Sequence, residues 1–255
     1  MVIAKYEKNS QLGIPAEEAY KTLRTNIRFC GVVNKIRTIS ITSCAPGEGK
    51  TTTSINLAVS MANSGMKTLL VDADLRRPMI EKILDINAKV GLTSYITGEA
   101  TLEEVIYSTN IENFYITPCG IIPPNPAELL SSDNFSTFIG NMKDRYLETV
   151  KGQFDIVIFD TPPLGSVIDA AIIAAQTDGT LLVIKSKSVN YKLACQVKGQ
   201  LEKANASLLG VVINRIEKKD LRYGYKNYYN YYYTADDRKE ENPFKKFMKR
   251  VKLIS

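Results

Sequence analysis

The sequence predicts an α/β fold, a mostly parallel sheet flanked by helices, and three observations carry that reading. Apolar runs of strand length recur at 36–43, 67–72, 114–118, 154–160, 179–185 and 207–214. They are near-continuous rather than alternating, as in Lys67-Thr-Leu-Leu-Val71 and Asp155-Ile-Val-Ile-Phe159, the mark of strands covered on both sides. Helical spacing fills most of the intervals, and strands alternating with helices build a parallel sheet. With 255 residues and 44% apolar content, the chain can bury the core of one large domain.

The first element is a helix over 15–30. Pro15 suits its first turn, and Ala16, Tyr20, Leu23, Ile27 and Cys30 give a stripe near period 3.6. The strand 36–43 then runs into Cys44-Ala-Pro-Gly-Glu-Gly-Lys50-Thr51, and Thr52 to Ala62 has helical spacing. Strand, glycine-rich turn and helix in that order form a phosphate-binding loop, which makes the fold P-loop NTPase-like. Gly47 and Gly49 let backbone N–H groups turn inward, and the helix N-terminus adds partial positive charge. The predicted nucleotide contacts are Pro46, Gly47, Glu48, Gly49, Lys50, Thr51 and Thr52, with Lys50 on the β- and γ-phosphates and the Thr51 hydroxyl on Mg²⁺. Cys44 stands where the pattern has its first glycine. Its thiol has two readings: a small half-buried filler, or a redox-sensitive group activated by Lys50 and the helix N-terminus.

In parallel sheets the ligand lies beyond the carboxyl ends of the strands. Two further strands deliver acids there, Leu69-Leu-Val-Asp72-Ala-Asp74 and Val157-Ile-Phe-Asp160. An Asp after an apolar strand holds Mg²⁺ directly or through water. Asp72 and Asp74 would share one face if the strand ran through both. Thr51, Asp72, Asp74 and Asp160 are therefore the predicted metal set, and Lys50, Asp72 and Asp74 the predicted catalytic set. Arg76 and Arg77 read equally as phosphate contacts and as a solvated pair. Further on, Ile121-Ile-Pro-Pro-Asn-Pro126 is a stiff loop before a helix from about Ala127.

After Arg215 burial periodicity stops, so the chain divides into a folded domain at 1–216 and a flexible tail at 217–255. Seven of the 14 tyrosines crowd into the tail: Tyr223, Tyr225, Tyr228, Tyr229, Tyr231, Tyr232 and Tyr233. They read as a stacking surface, an adhesive patch, or phosphate acceptors, each acceptor adding about −1.5 to −2 charges. Of the net charge of +6, five units come from Lys245, Lys246, Lys249, Arg250 and Lys252, leaving the rest nearly neutral. A nucleic-acid-binding fold is not implied. Phe244, Phe247, Met248 and Val251 share a helical face among those lysines, so 243–255 reads either as a weak anionic-membrane contact or as a solvated end. The absence of histidine excludes imidazole chemistry, and the four cysteines have no metal-ligand spacing. A reducing cytoplasm is expected, with no membrane span and no signal peptide.

Taken together, these motifs resemble the bacterial tyrosine kinases, in the stand-alone cytoplasmic form of Gram-positive capsule and exopolysaccharide systems. The resemblance rests on the relaxed P-loop at 44–51, on Leu70-Val-Asp72-Ala-Asp74-Leu-Arg76 and Asp160-Thr-Pro, on Pro123-Pro-Asn-Pro-Ala-Glu-Leu-Leu130, and on the tyrosine cluster. It implies ATP and Mg²⁺ as cofactors, and autophosphorylation of the tail between subunits of a ring, regulating polysaccharide polymerisation and export. It also implies a membrane adaptor of the polysaccharide co-polymerase type that recruits the kinase to the inner face of the membrane, and a cognate tyrosine phosphatase. Asp72 would be the base and a Mg²⁺ partner, with Asp74 and Asp160 completing the metal shell. Asn214 looks like an adenine-side residue, its alternative being a turn-forming Asn. The family's oligomerisation motif survives in part as Glu18, Lys21 and Arg24, lysine replacing the middle arginine and losing its bidentate geometry. A local Glu17–Lys21 pair is the plainer account of that helix. The rival function is a membrane-positioning ATPase of the same fold without kinase activity.

Overall fold

The structure is a computed structural model that describes residues 14–32, 35–88 and 90–216. The tyrosine cluster and the basic segment at 243–255 lie outside the described residues. The elements are α1 (Ile14–Cys30), β1 (Thr38–Ser43), α2 (Lys50–Ala62), β2 (Thr68–Asp72), α3 (Ile80–Ile83), α4 (Leu92–Ile96), β3 (Tyr107–Ser108) and β4 (Phe114–Thr117). There follow α5 (Pro126–Leu130), α6 (Asp133–Asp144), β5 (Ile156–Asp160), α7 (Asp169–Ala174), β6 (Gly179–Lys185), α8 (Tyr191–Lys203) and β7 (Leu208–Asn214).

The strands form one sheet in the order β3-β4-β2-β5-β1-β6-β7. All neighbours pair in parallel except β3, which runs antiparallel to β4. Every strand the apolar runs predict is present. Strand β3 is additional; two residues at a sheet edge carry too little pattern to announce themselves.

Successive strand residues point to opposite faces, and the sheet uses both. Leu69 and Val71 of β2, with Val157 and Phe159 of β5, pack with Phe135, Phe138 and Met142 of α6. Leu70 and Ile158, with Ile39 and Ile41 of β1, pack with Ile55, Leu57, Ala58 and Met61 of α2 and Ile27 of α1. That two-sided burial is why the strands read as unbroken apolar runs. In α1 the stripe reaches Ile27 but stops there, since Cys30 is exposed. The single helix expected from Ala127 is two, because the Ser132 hydroxyl caps α6 by accepting from the Phe135 N–H and restarts the helix after a break. Among the described residues no helix is long and apolar enough to cross a membrane.

Candidate active site

The loop between β1 and α2 is built as the sequence requires. Gly47 and Gly49 take φ of +77° and +93°, the left-handed region that disfavours side chains. A Cβ at Gly49 would stand 2.1 Å from Asn214 Nδ2. Asn214 sits there because its Nδ2 donates to the Glu48 carbonyl at 2.8 Å, so the end of β7 buttresses the loop. Gly49→Ala is accordingly expected to cost about 1–2 kcal/mol in urea unfolding through backbone strain and displaced Asn214; an unchanged midpoint would contradict this. The Glu48 side chain is buried and faces away from the loop's mouth. It accepts from Ala45 N at 2.7 Å and from Lys185 N at 3.1 Å, tying the loop to itself and to β6. Cys44 is buried, and its thiol is pushed up to about 11, by burial first and then by Glu48. This is the filler reading; an activated thiolate would need the opposite shift.

A cavity of about 630 Å³ opens at the carboxyl edge of the sheet, within the usual range for ligand sites. Pro46, Gly47, Gly49, Lys50, Thr51 and Thr52 form one wall, and Asp74 joins them. Strands β2 and β5 are neighbours in register, with Asp72 directly opposite Asp160. The sheet therefore gathers all three predicted carboxylates around Lys50. Its Nζ lies 3.0 Å from Asp74 Oδ2 and 3.7 Å from Asp160 Oδ2. The Thr51 hydroxyl donates to Asp160 Oδ2 at 2.7 Å, and the Ser54 hydroxyl donates to Asp160 Oδ1 at 2.9 Å.

Asp72 and Asp74 do not share a strand face. Strand β2 ends at Asp72, and Asp74 belongs to the turn beyond it, where its Oδ1 accepts from Arg77 N at 3.0 Å. Asp74 is on the cavity wall. Asp72 is fully buried and not among the wall residues; its Oδ2 accepts from Met79 N at 3.1 Å and Ile80 N at 3.0 Å, anchoring the start of α3.

Around Lys50 itself, three buried carboxylates face one ammonium, which leaves a local deficit of positive charge at the strand ends. Burial, and next the charge of Asp160, push Asp72 up to about 8. Burial raises Asp160 as well, against the pull of Lys50. Burial alone would lower Lys50, but Asp160 and Asp74 together hold it above the ordinary lysine value. A hard dication relieves that deficit, and the donors here, hydroxyl and carboxylate oxygens, are of the kind Mg²⁺ takes. Among the described residues no three acidic or thiol side chains converge closely enough to hold an ion by themselves. That fits a Mg²⁺ completed by phosphate oxygens and water better than a closed protein cage.

Of the two arginines after Asp74, Arg77 is exposed and lines the cavity. Arg76 also lines it but is tied down: its Nε donates to Asp169 Oδ2 at 2.7 Å and its Nη2 to Oδ1 at 3.1 Å. Asp169 begins α7 and is fully buried. Sequence reasoning passed over it, although one acid inside the apolar run Val167-Ile-Asp-Ala-Ala-Ile-Ile173 was a signal that it has a partner. Ser54 and Arg215, another wall residue, were missed as well.

Away from the cavity, Glu18, Lys21 and Arg24 follow one another along α1. Lys21 pairs with Glu18, and Arg24 donates to the Ser60 carbonyl and hydroxyl of α2. The arginine thus clamps α1 onto α2 within one chain.

The AAA-domain family is matched across residues 36–208. Tyrosine-protein kinase CpsD of Streptococcus pneumoniae is 42% identical over 218 residues, which cover 85% of this chain and 92% of that one. This chain belongs to the bacterial tyrosine kinases. Tyrosine-protein kinase YwqD of Bacillus subtilis is 41% identical over 209 residues, 82% of this kinase and 85% of the relative. In three dimensions the kinase is similar to the chimerical protein CapA2B2, with a TM-score of 0.73 and 34% identity, over 85% of this chain and 94% of the other. Of the two function classes the sequence left open, the relatives carry the kinase.

Proposed function

We propose that this kinase transfers the terminal phosphoryl group of ATP to its own C-terminal tyrosines, Tyr223 to Tyr233, between neighbouring copies of the chain. The observation that carries the site is the Lys50 ammonium, fixed at the cavity wall by Asp74 and Asp160 beside the Thr51 hydroxyl. Loop N–H groups and Lys50 hold the phosphates, and Asn214 keeps the loop in shape from β7. The tyrosine oxygen attacks the terminal phosphorus, the bond to ADP breaks, and the phenolic proton passes to a carboxylate. Asp74 is the base that fits, because it alone of the β2 pair opens on the cavity; Asp72 supports it from behind. Thr51 and Asp160, with Asp74, would hold Mg²⁺, which supplies charge neutralisation at the phosphates.

The cellular output we infer is control of capsular or exopolysaccharide polymerisation and export. The resemblance in sequence supports a membrane adaptor of the polysaccharide co-polymerase type, a ring of subunits and a cognate tyrosine phosphatase, with the kinase recruited to the inner membrane face. A deciding experiment is phosphopeptide mass spectrometry of residues 223–238 after incubation with Mg-ATP, comparing the native chain with Lys50→Met. Phosphotyrosine that disappears in Lys50→Met is expected. ATP hydrolysis with the tyrosines left unmodified would point to a positioning ATPase instead.

A further inference from the structure

The cavity carries more positive charge than its phosphate loop supplies. Arg76, Arg77 and Arg215 line it together with Lys50. Among the described residues only one of these arginines is held by a charged side chain that is itself fully buried. The Asp169 carboxylate grips Arg76 through two bonds, 2.7 Å to Nε and 3.1 Å to Nη2. This fork fixes the guanidinium plane and leaves the two N–H groups of Nη1 outside the pair. A fully buried carboxylate whose one charged partner among the described residues is 42% exposed on a cavity wall is a costly arrangement for stability alone. It is a sound arrangement for aiming a cation.

We propose that Arg76 contacts the phosphoryl group in transfer and that Asp169 is a positioning residue that aims it. Phosphoryl transfer places charge on the equatorial oxygens of the moving group, and a pre-aimed guanidinium meets that charge without reorganising. The chain thereby carries in its own turn after β2 a cation that other phosphotransferases borrow from a partner. Lys50 serves the bound phosphates in the ground state, while Arg76 acts on the transition state. The inference rests on the reading of the cavity as a Mg-nucleotide site, but not on tyrosine being the acceptor.

The test therefore compares binding of Mg-ADP with binding of Mg-ADP plus aluminium fluoride, which mimics the moving phosphoryl group, in the full chain. Arg76→Ala is expected to keep Mg-ADP affinity within about threefold and to lose about 100-fold in affinity for the aluminium fluoride complex. Asp169→Asn should show the same selectivity at about 10-fold, and Arg76→Lys should fail to rescue because lysine cannot make the fork. The double variant Arg76→Ala/Asp169→Asn should be no worse than Arg76→Ala, since the aspartate acts through the arginine. Multiplying losses would overturn the proposal, as would equal loss for both ligands or native discrimination in Asp169→Asn. If Mg-ADP binds none of the proteins, the nucleotide reading falls and this proposal with it. An absence of phosphotyrosine with the fluoride selectivity intact would overturn the acceptor and leave Arg76 and Asp169 in place.

Discussion

Lys50→Met is expected to lower phosphotyrosine formation by about a thousandfold or more and to destabilise the nucleotide-free chain as well. The first effect follows from position. Lys50 begins α2, where the loop's backbone donors and the helix end converge, and its ammonium is the loop's one side-chain cation. Methionine keeps the length of the side chain and removes the charge. The second effect follows from what surrounds it. Asp74 and Asp160 lie within 3.0 and 3.7 Å of Nζ, and both are buried. Breaking a buried pair by deleting one partner strands the other charge, at a cost of about 3 kcal/mol. The cost should shrink toward pH 5, because burial already raises Asp160 and removing the Lys50 ammonium takes away the charge that lowers it. Urea unfolding in the presence of a chelator at pH 8 and pH 5 reads this directly. Equal stability of the two proteins at pH 8 would show that the ammonium does not offset the charge of Asp74 and Asp160 as described.

Much of this site was legible because strand ends in a parallel sheet are directional. Once the apolar runs at 67–72 and 154–160 were read as parallel strands, the acids that follow had to emerge beside the loop at 44–51, and they do. What the sequence did not disclose was the local course of the chain after each strand. Strand period 2 places Asp72 and Asp74 on one face, but β2 stops at Asp72, so one carboxylate is buried and the other faces the cavity. Glu48 was read with the loop residues that touch nucleotide, yet its side chain is drawn inward by the Ala45 and Lys185 N–H groups. The partner in that second bond is 137 positions away, and no local pattern encodes it. The Arg76–Asp169 fork spans 93 positions, so the lone acid in the apolar run 167–173 signals that it has a partner without saying which.

Asp72→Asn should separate stability from function. Asp72 titrates near 3.8 when unperturbed and is held up to about 8 in the folded chain by burial, then by Asp160. Between those values the folded chain binds a proton that the unfolded chain has released, so stability falls as pH rises. The contribution is fully present below about pH 4 and is lost as pH passes through about 8. Asparagine carries no charge at either end of that window and retains an oxygen for the Met79 and Ile80 N–H groups. The variant is therefore expected to match the native chain near pH 4 and to exceed it by about 2 kcal/mol or more at pH 8, both without metal. Its kinase activity should fall about 100-fold, because the site then holds one carboxylate fewer behind Asp74. Lys50→Met and Asp72→Asn thus move activity in one direction and apo stability in opposite directions. That opposition is the signature of a carboxylate cluster, Asp72, Asp74 and Asp160, with more negative charge than Lys50 alone offsets, a charge that a bound Mg²⁺ would relieve. If the native chain and the Asp72→Asn variant shared one pH slope of stability, the excess charge would lie elsewhere, on Asp160.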